Sequence, residues 1–381
     1  MYNINTFLFW FVSLLLFLIL IFGYPLFVFI FSRFKKNNIK KSNNYLPFIS
    51  ILIPCYNEED MIENKILNTL NINYPREKFE IVVVESGSTD KTYSKLLKFS
   101  LKKKIKLIKQ PERLGKSSAM NQGIRIINND IIILTDSDTI IEKNAIKEIV
   151  KNFGDKRVGA VVGNLTLSPS NSIASKMNSF FNLYFRVKIR IWESEMSSAS
   201  YWSGQLCAFR KSIVGEIEEN IINDDRYILL KTIEKGYLAI CDKNASVYEK
   251  SPKKILDQIV QKRRTTAGTL QGMIRFKNIL FNKSYGLYGM FIMPAYLIRL
   301  ILSPLLLLFI EILSLIMVYS ILPPILVVYL LGSCIFLALF DKGRSIFIIL
   351  LYPIIIQLSI MLGIADYILN RHSVLWRRVN R

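Results

Sequence analysis

Hydrophobic and polar positions fall into three arrangements along this chain. The first is a run from Phe7 to Phe31 that is almost wholly apolar, long enough to cross a hydrocarbon core of about 30 Å. Gly23 and Pro25 interrupt it, as spanning helices tolerate. A cleaved signal peptide fits less well, because no basic residue precedes the run and the run is too long. Arg33, Lys35, Lys36, Lys40 and Lys41 follow it, which places this end in the cytoplasm by the positive-inside rule.

From Pro47 to about Ala245 short β-branched runs alternate with polar, helical stretches. Ile49–Ile53, Ile81–Val84, Ile105–Ile108, Ile131–Leu134 and Val158–Val162 predict buried strands. Glu59–Leu70, Thr89–Leu101, Ser117–Ile127 and Glu142–Phe153 predict helices between them. Such alternation implies a mostly parallel α/β sheet, whose ligands bind beyond the carboxyl ends of the strands. A long helical stretch, Ser172–Met196, is rich in aromatic and basic residues. It either lies on a membrane surface or packs on the sheet. Pro252 to about Phe281 reads as a second basic, interfacial helix.

Apolar sequence resumes near Leu287 and runs to Phe340, then from Ile346 to Leu369, with Asp341–Arg344 between. Two spans in the first block and one in the second give about three. That parity puts the C-terminus outside, whereas Arg371, Arg377, Arg378 and Arg381 in the tail favour the inside. Arg299 and Glu311 are charges within these runs, expected near span ends where they reach water. Trp376 is expected to anchor the tail at an interface. The expected order is a span at 1–32, a basic linker at 33–46 and a catalytic domain at 47–251. Interfacial helices at 252–285, spans at 286–370 and a basic tail at 371–381 follow.

Composition narrows the chemistry. The 50 basic residues outnumber the 29 acidic ones, a formal charge of +21, which suits nucleic acid, anionic lipid or a phosphorylated substrate. With apolar spans beside it and no nucleic-acid reader motif, a lipid surface is the better partner. Cys55, Cys207, Cys241 and Cys334 lie far apart and form neither a zinc site nor a disulfide framework. His372 is the only histidine, so acid–base work falls to carboxylates or lysines.

Carboxylates stand at the strand ends. Leu134-Thr135-Asp136-Ser137-Asp138 places two at i and i+2, which extended backbone would aim to one side. Such a pair suits a hard divalent cation that shares phosphate oxygens. Alone it is also an ordinary solvated turn. Pro54-Cys55-Tyr56-Asn57-Glu58 ends the first strand, and Glu85-Ser86-Gly87-Ser88-Thr89-Asp90 ends the second. Helix capping by Asn57, Ser88 or Asp90 would explain these letters too; Glu85 could accept from a base or ribose. Arg113-Leu114-Gly115-Lys116 lacks Walker spacing, yet Lys116 at a helix start would attract a diphosphate.

Taken in order, these motifs resemble the catalytic domain of family 2 glycosyltransferases, the group of cellulose synthase, hyaluronan synthase and dolichyl-phosphate mannose synthase, over about Phe48 to Thr265. The resemblance implies a GT-A-type nucleotide-sugar-binding domain inserted between transmembrane helices. It implies donor binding by Pro54, Asn57, Glu58, Glu85, Ser88, Asp90 and Lys116. Glu85 and Ser86 stand where the family usually has two aspartates, which leaves the base open. Asp136 and Asp138 match its DxD motif, which implies Mg²⁺ or Mn²⁺. Gly204 and Gln205 resemble the acceptor-side strand. Asn223-Asp224-Asp225 resembles the ED motif, with Asp225 in the place of the general base; as plain structure, Asn223 or Asp224 would cap the following helix. Gln261, Arg263 and Arg264 resemble the QxxRW motif, with Thr265 replacing its tryptophan, a departure that tilts against processive synthesis.

The implied function is inverting transfer from a nucleotide-sugar donor to a lipid or glycan acceptor at the cytoplasmic face of a membrane. A processive polysaccharide synthase and a non-catalytic scaffold of the same fold are the alternatives.

Overall fold

The computed structural model describes residues 4–321 and 341–371. Strands β1 (Ile49–Cys55), β2 (Phe79–Ser86), β3 (Lys106–Gln110), β4 (Ile131–Thr135), β5 (Ile140–Ile141), β6 (Val158–Ser168), β7 (Leu206–Arg210) and β8 (Leu238–Lys250) form one sheet. Their order is β3-β2-β1-β4-β7-β6-β8-β5. The first four pair in parallel, as do β6 and β8, while β7 runs antiparallel between β4 and β6 and β5 runs antiparallel to β8.

Alternation along the strands divides the core between two faces. Ile51, Ile53, Ile81, Val83 and Ile133 point to one side, where α3 (Ile62–Leu70), α4 (Thr92–Leu101) and α6 (Ala145–Lys151) supply Ile66, Leu96 and Ile149. Leu52, Val82, Val84 and Leu134 point to the other. There α5 (Lys116–Ile126) supplies Met120 and Ile124, and α10 (Asp224–Glu234) supplies Ile228 and Leu229. Because both faces are covered, β1 is buried at all seven positions and reads as a continuous apolar run.

The segment expected as one long helix is α7 (Ile173–Phe181), a π turn (Asn182–Val187) and α8 (Lys188–Met196). It packs on protein: Phe29 meets Trp192 edge-on, and Phe181 stacks on Tyr352. A short α9 (Lys211–Val214) follows β7, and α11 (Ile255–Arg275) falls on the basic segment for which a helix was expected.

Among the described residues, three helices are long and apolar enough to span a membrane: Ile4–Phe34, Tyr288–Tyr319 and Leu351–Ile368. The first comprises α1 (Ile4–Leu18), a π turn at Ile19–Gly23 and α2 (Tyr24–Phe34), with Pro25 in the first turn of α2, where its missing N–H costs no helical bond. The second lies in α12 (Met293–Ile321) and its preceding π turn, the third in α13 (Asp341–Ile368). The further span expected before Phe340 falls on 322–340, outside the described residues, as do Cys334, His372, Trp376, Arg377, Arg378 and Arg381.

Two expectations change. The basic linker is stitched to the domain: Asn37 donates to the carbonyls of Ser194 and Ser197 (2.9 and 2.7 Å), and Lys41 pairs with buried Asp242 (2.7 Å). Arg299 stands over the Tyr24 ring (4.5 Å) at a packed junction with the first span.

Candidate active site

The end of β1 and the turn after β2 lock together. Asn57 adopts a left-handed backbone (φ 53°), which asparagine tolerates better than most residues. Its N–H donates to Ser88 Oγ (3.0 Å), and its side-chain oxygen accepts from the Thr89 N–H (2.9 Å). Glu58 N–H donates to Thr92 Oγ1 and Glu59 N–H to Asp90 (2.8 and 3.2 Å). Gly87 (φ 66°) lies where a Cβ would stand 2.6 Å from the Glu112 backbone, so only glycine lets the two loops close. Asn57, Ser88 and Asp90 therefore build this floor. Glu85 is fully buried and accepts from the Ser88 N–H. A small cavity opens above, lined by Pro54, Tyr56, Glu58, Ser86, Arg113 and Lys116. Glu85 is not in its wall; Ser86 is.

The DxD pair sits on a turn, because β4 ends at Thr135; the expectation of extended backbone there was incorrect. What shapes the turn is a lysine that the sequence reading passed over. Lys65 of α3 is buried and donates to Thr135 Oγ1 (2.7 Å), Thr139 Oγ1 (2.9 Å) and the Thr139 carbonyl (3.0 Å). Burial lowers its pKa to about 7, against the pull of Asp136 and Asp138. The signal was available: Lys65 interrupts the buried stripe of Ile62, Ile66 and Thr69.

Close to this turn further carboxylates gather. Lys116 Nζ, at the start of α5, bridges Asp136 (2.8 Å) and Asp224 (3.2 Å). Burial disfavours its charge, but Asp136, Asp224 and Asp225 outweigh that and hold its pKa well above the lysine range. A Cβ on Gly204 would lie 3.2 Å from Lys116 Nζ, 3.8 Å from Asp225 Cβ and 3.9 Å from Asp136 Oδ2. Four segments remote in sequence thus meet at one point. Burial and neighbouring Asp224 push the Asp225 carboxyl up to about 6, against Lys116 and Arg226. Asn223 precedes α10 without capping it through its side chain; its amide donates to the Thr265 carbonyl (3.0 Å) on α11.

Asp136 and Asp138 offer hard oxygen donors on one turn, and the described residues hold no cluster of three His, Cys, Asp or Glu suited to a metal. Two carboxylates fit a Mg²⁺- or Mn²⁺-type ion that completes its shell with diphosphate oxygens, rather than an all-protein cage.

Gln205 lies at the rim and donates to Glu249 (3.1 Å). The QxxRW-like residues divide. Arg263 forms a two-pronged pair with Asp366 of α13 (2.9 and 2.8 Å), so it faces a span. Gln261 and Arg264 line neither this cavity nor the larger one described below.

Residues 50–218 match the family described as glycosyl transferase family 2. The chain carries a family 2 glycosyltransferase domain. Among its relatives is the poly-beta-1,6-N-acetyl-D-glucosamine synthase of Staphylococcus aureus (strain MSSA476), 30% identical over 221 residues, 55% of this chain and 53% of that protein. The chain thus spans about half the length of the curated relatives it matches first. The probable glycosyltransferase YdaM of Bacillus subtilis (strain 168) is 27% identical over 69% of the chain and 67% of its own length. A solved structure, mannosyltransferase PcManGT from Pyrobaculum calidifontis in complex with GDP-Man and Mn2+, superposes with a TM-score of 0.73 over 95% of this chain and 99% of its own, at 22% identity. At that identity the likeness concerns the fold, which is of GT-A type for this family 2 domain.

Proposed function

We propose that the chain is an inverting glycosyltransferase that moves a sugar from a nucleotide-diphosphate donor to an acceptor held at the membrane. The observation that carries this reading is the meeting of Lys116, Asp136, Asp224 and Gly204 beside Asp225. The donor diphosphate would lie over the start of α5, where Lys116 and the helix dipole favour negative charge. A divalent ion bound by Asp136 and Asp138 would neutralise the diphosphate as it leaves.

Asp225 is the general base. It takes the proton of the acceptor hydroxyl while that oxygen bonds to the anomeric carbon, and the diphosphate departs with the electrons of the broken bond. One displacement inverts the centre. A carboxyl pushed up to about 6 is better matched to this task near neutral pH than an ordinary aspartate. The basic residues after the first span support a cytoplasmic catalytic face.

The experiment is transfer by the purified chain in lipid, screened over nucleotide sugars with Mg²⁺ or Mn²⁺. Donor hydrolysis and transfer both absent across the screen would leave a scaffold of the same fold. A processive reading draws on the name of the Staphylococcus aureus relatives; products of increasing length would favour it over single transfer.

A further inference from the structure

A cavity of about 280 Å³ lies between the catalytic domain and the spans. Arg186, Arg190, Lys262 and Arg299 line it, and no Asp or Glu is among the described residues of its wall. Arg190 is 1% exposed; its terminal nitrogens donate to Ser203 Oγ and the Gly163 carbonyl (both 3.2 Å), while its Nε makes no hydrogen bond. The Arg299 Nε is also buried without a hydrogen bond. Glu193, behind Arg299, has its oxygens committed to Tyr24, to Ser200 Oγ and to the Ser200 N–H. Buried guanidinium nitrogens without acceptors are costly. The wall is therefore suited to an anion.

Position gives the anion a context. Thr265 and Ser200 line the cavity, and their carbonyls accept from Asn223 and from Arg226, which flank the two aspartates of α10. The spans contribute apolar Ile21, Leu300, Ile356 and Ile360 to the lining, together with Arg299, Ser303 and Gln357. A cavity that joins cations of the domain and of a span to apolar side chains of the spans matches an amphiphile.

We infer that this cavity holds the acceptor by a phosphate: the acceptor is a phosphorylated lipid, whose headgroup sits among Arg186, Arg190, Lys262 and Arg299 and whose chain follows the spans. The inference rests on the reading of the chain as a glycosyltransferase and names the acceptor class. A neutral glycan would leave Arg186, Arg190 and Lys262 with no carboxylate in the cavity wall to balance them.

The test uses the full chain in phosphatidylcholine nanodiscs and measures binding of dodecyl phosphate, dodecanol and inorganic phosphate, alongside binding of the donor nucleotide. Dodecyl phosphate is expected to bind saturably and at least tenfold more tightly than either dodecanol or inorganic phosphate. The Arg186→Gln, Lys262→Gln double variant leaves the hydrogen-bonded Arg190 in place. It is expected to weaken dodecyl phosphate at least tenfold and to keep nucleotide affinity within about twofold. Equal binding of dodecanol, equal binding of inorganic phosphate, or an unaffected double variant would overturn the lipid-phosphate assignment. Loss of nucleotide binding in the unmodified chain would count against the glycosyltransferase reading instead.

Discussion

Lys116 and Lys65 both feel the charge of Asp136, with opposite consequences. Lys116 is held charged by three carboxylates, whereas Lys65 has only hydroxyl and carbonyl acceptors at bonding distance and loses its proton near pH 7. Asp225→Asn is expected to abolish transfer, at least a thousandfold, while donor affinity changes less than about threefold; unchanged turnover would remove the base assignment. In the unsubstituted chain the rate is expected to fall as pH drops below about 6, where Asp225 becomes protonated. A raised folded pKa means the matching stability term is present at low pH and lost as pH rises through 6. For Lys65 the sign differs. The unfolded chain keeps its proton up to about pH 10 while the folded chain releases it near 7, so this group makes stability rise between those values. Lys65→Met is expected to flatten that rise in thermal melts at pH 6.5 and 9.5, and to weaken cation-dependent donor binding by loosening the turn. A variant with the same pH slope would contradict this. The sequence made Asp136 and Asp225 legible through their order among motifs. It did not reveal the turn geometry, which depends on Lys65 reaching across from another element.

At the scale of elements, legibility followed burial. Strands β1, β2 and β4 are covered on both faces and announce themselves as apolar runs. Strand β8 is half-buried and carries Asp242, Lys243 and Asn244 in its middle, so its letters read as a loop. The antiparallel course of β7 was equally hidden, because direction is set by pairing partners and not by composition. Helix α11 was legible as basic, yet the partners of its arginines were not. Arg263 is matched to Asp366, an acid more than a hundred residues away. A double-mutant cycle of Arg263→Ala and Asp366→Ala is expected to give a coupling of roughly 1 kcal/mol in unfolding, since the pair is two-pronged but partly exposed (40% and 18%). Additive effects would mean that α11 and α13 are held together by packing alone.

The whole molecule is less divisible than its hydropathy pattern suggests. Residues 47–251 read as a separable domain, but one continuous core joins Leu52, Val84 and Leu134 of the sheet to Tyr24 and Val28 of the first span and to Ile292 and Met293 at the second. Tyr24 also donates to Glu193, a carboxyl fully buried in the domain. Each such apolar side chain contributes about 1.5–3 kcal/mol when buried. Four of them lost together approach the whole of a typical domain stability of about 5–15 kcal/mol. Removing the spans would also leave Glu193 without its phenol partner and expose Trp192. A fragment of residues 47–251 is therefore expected to lack a cooperative thermal transition and to bind an apolar dye, while the full chain in lipid melts cooperatively. A fragment that melts sharply at the temperature of the full chain and still binds nucleotide would show that the spans anchor the domain without completing it. The reverse result would tie folding of the domain to its seat on the spans, where Phe181 and Tyr352 stack in the wall of the larger cavity.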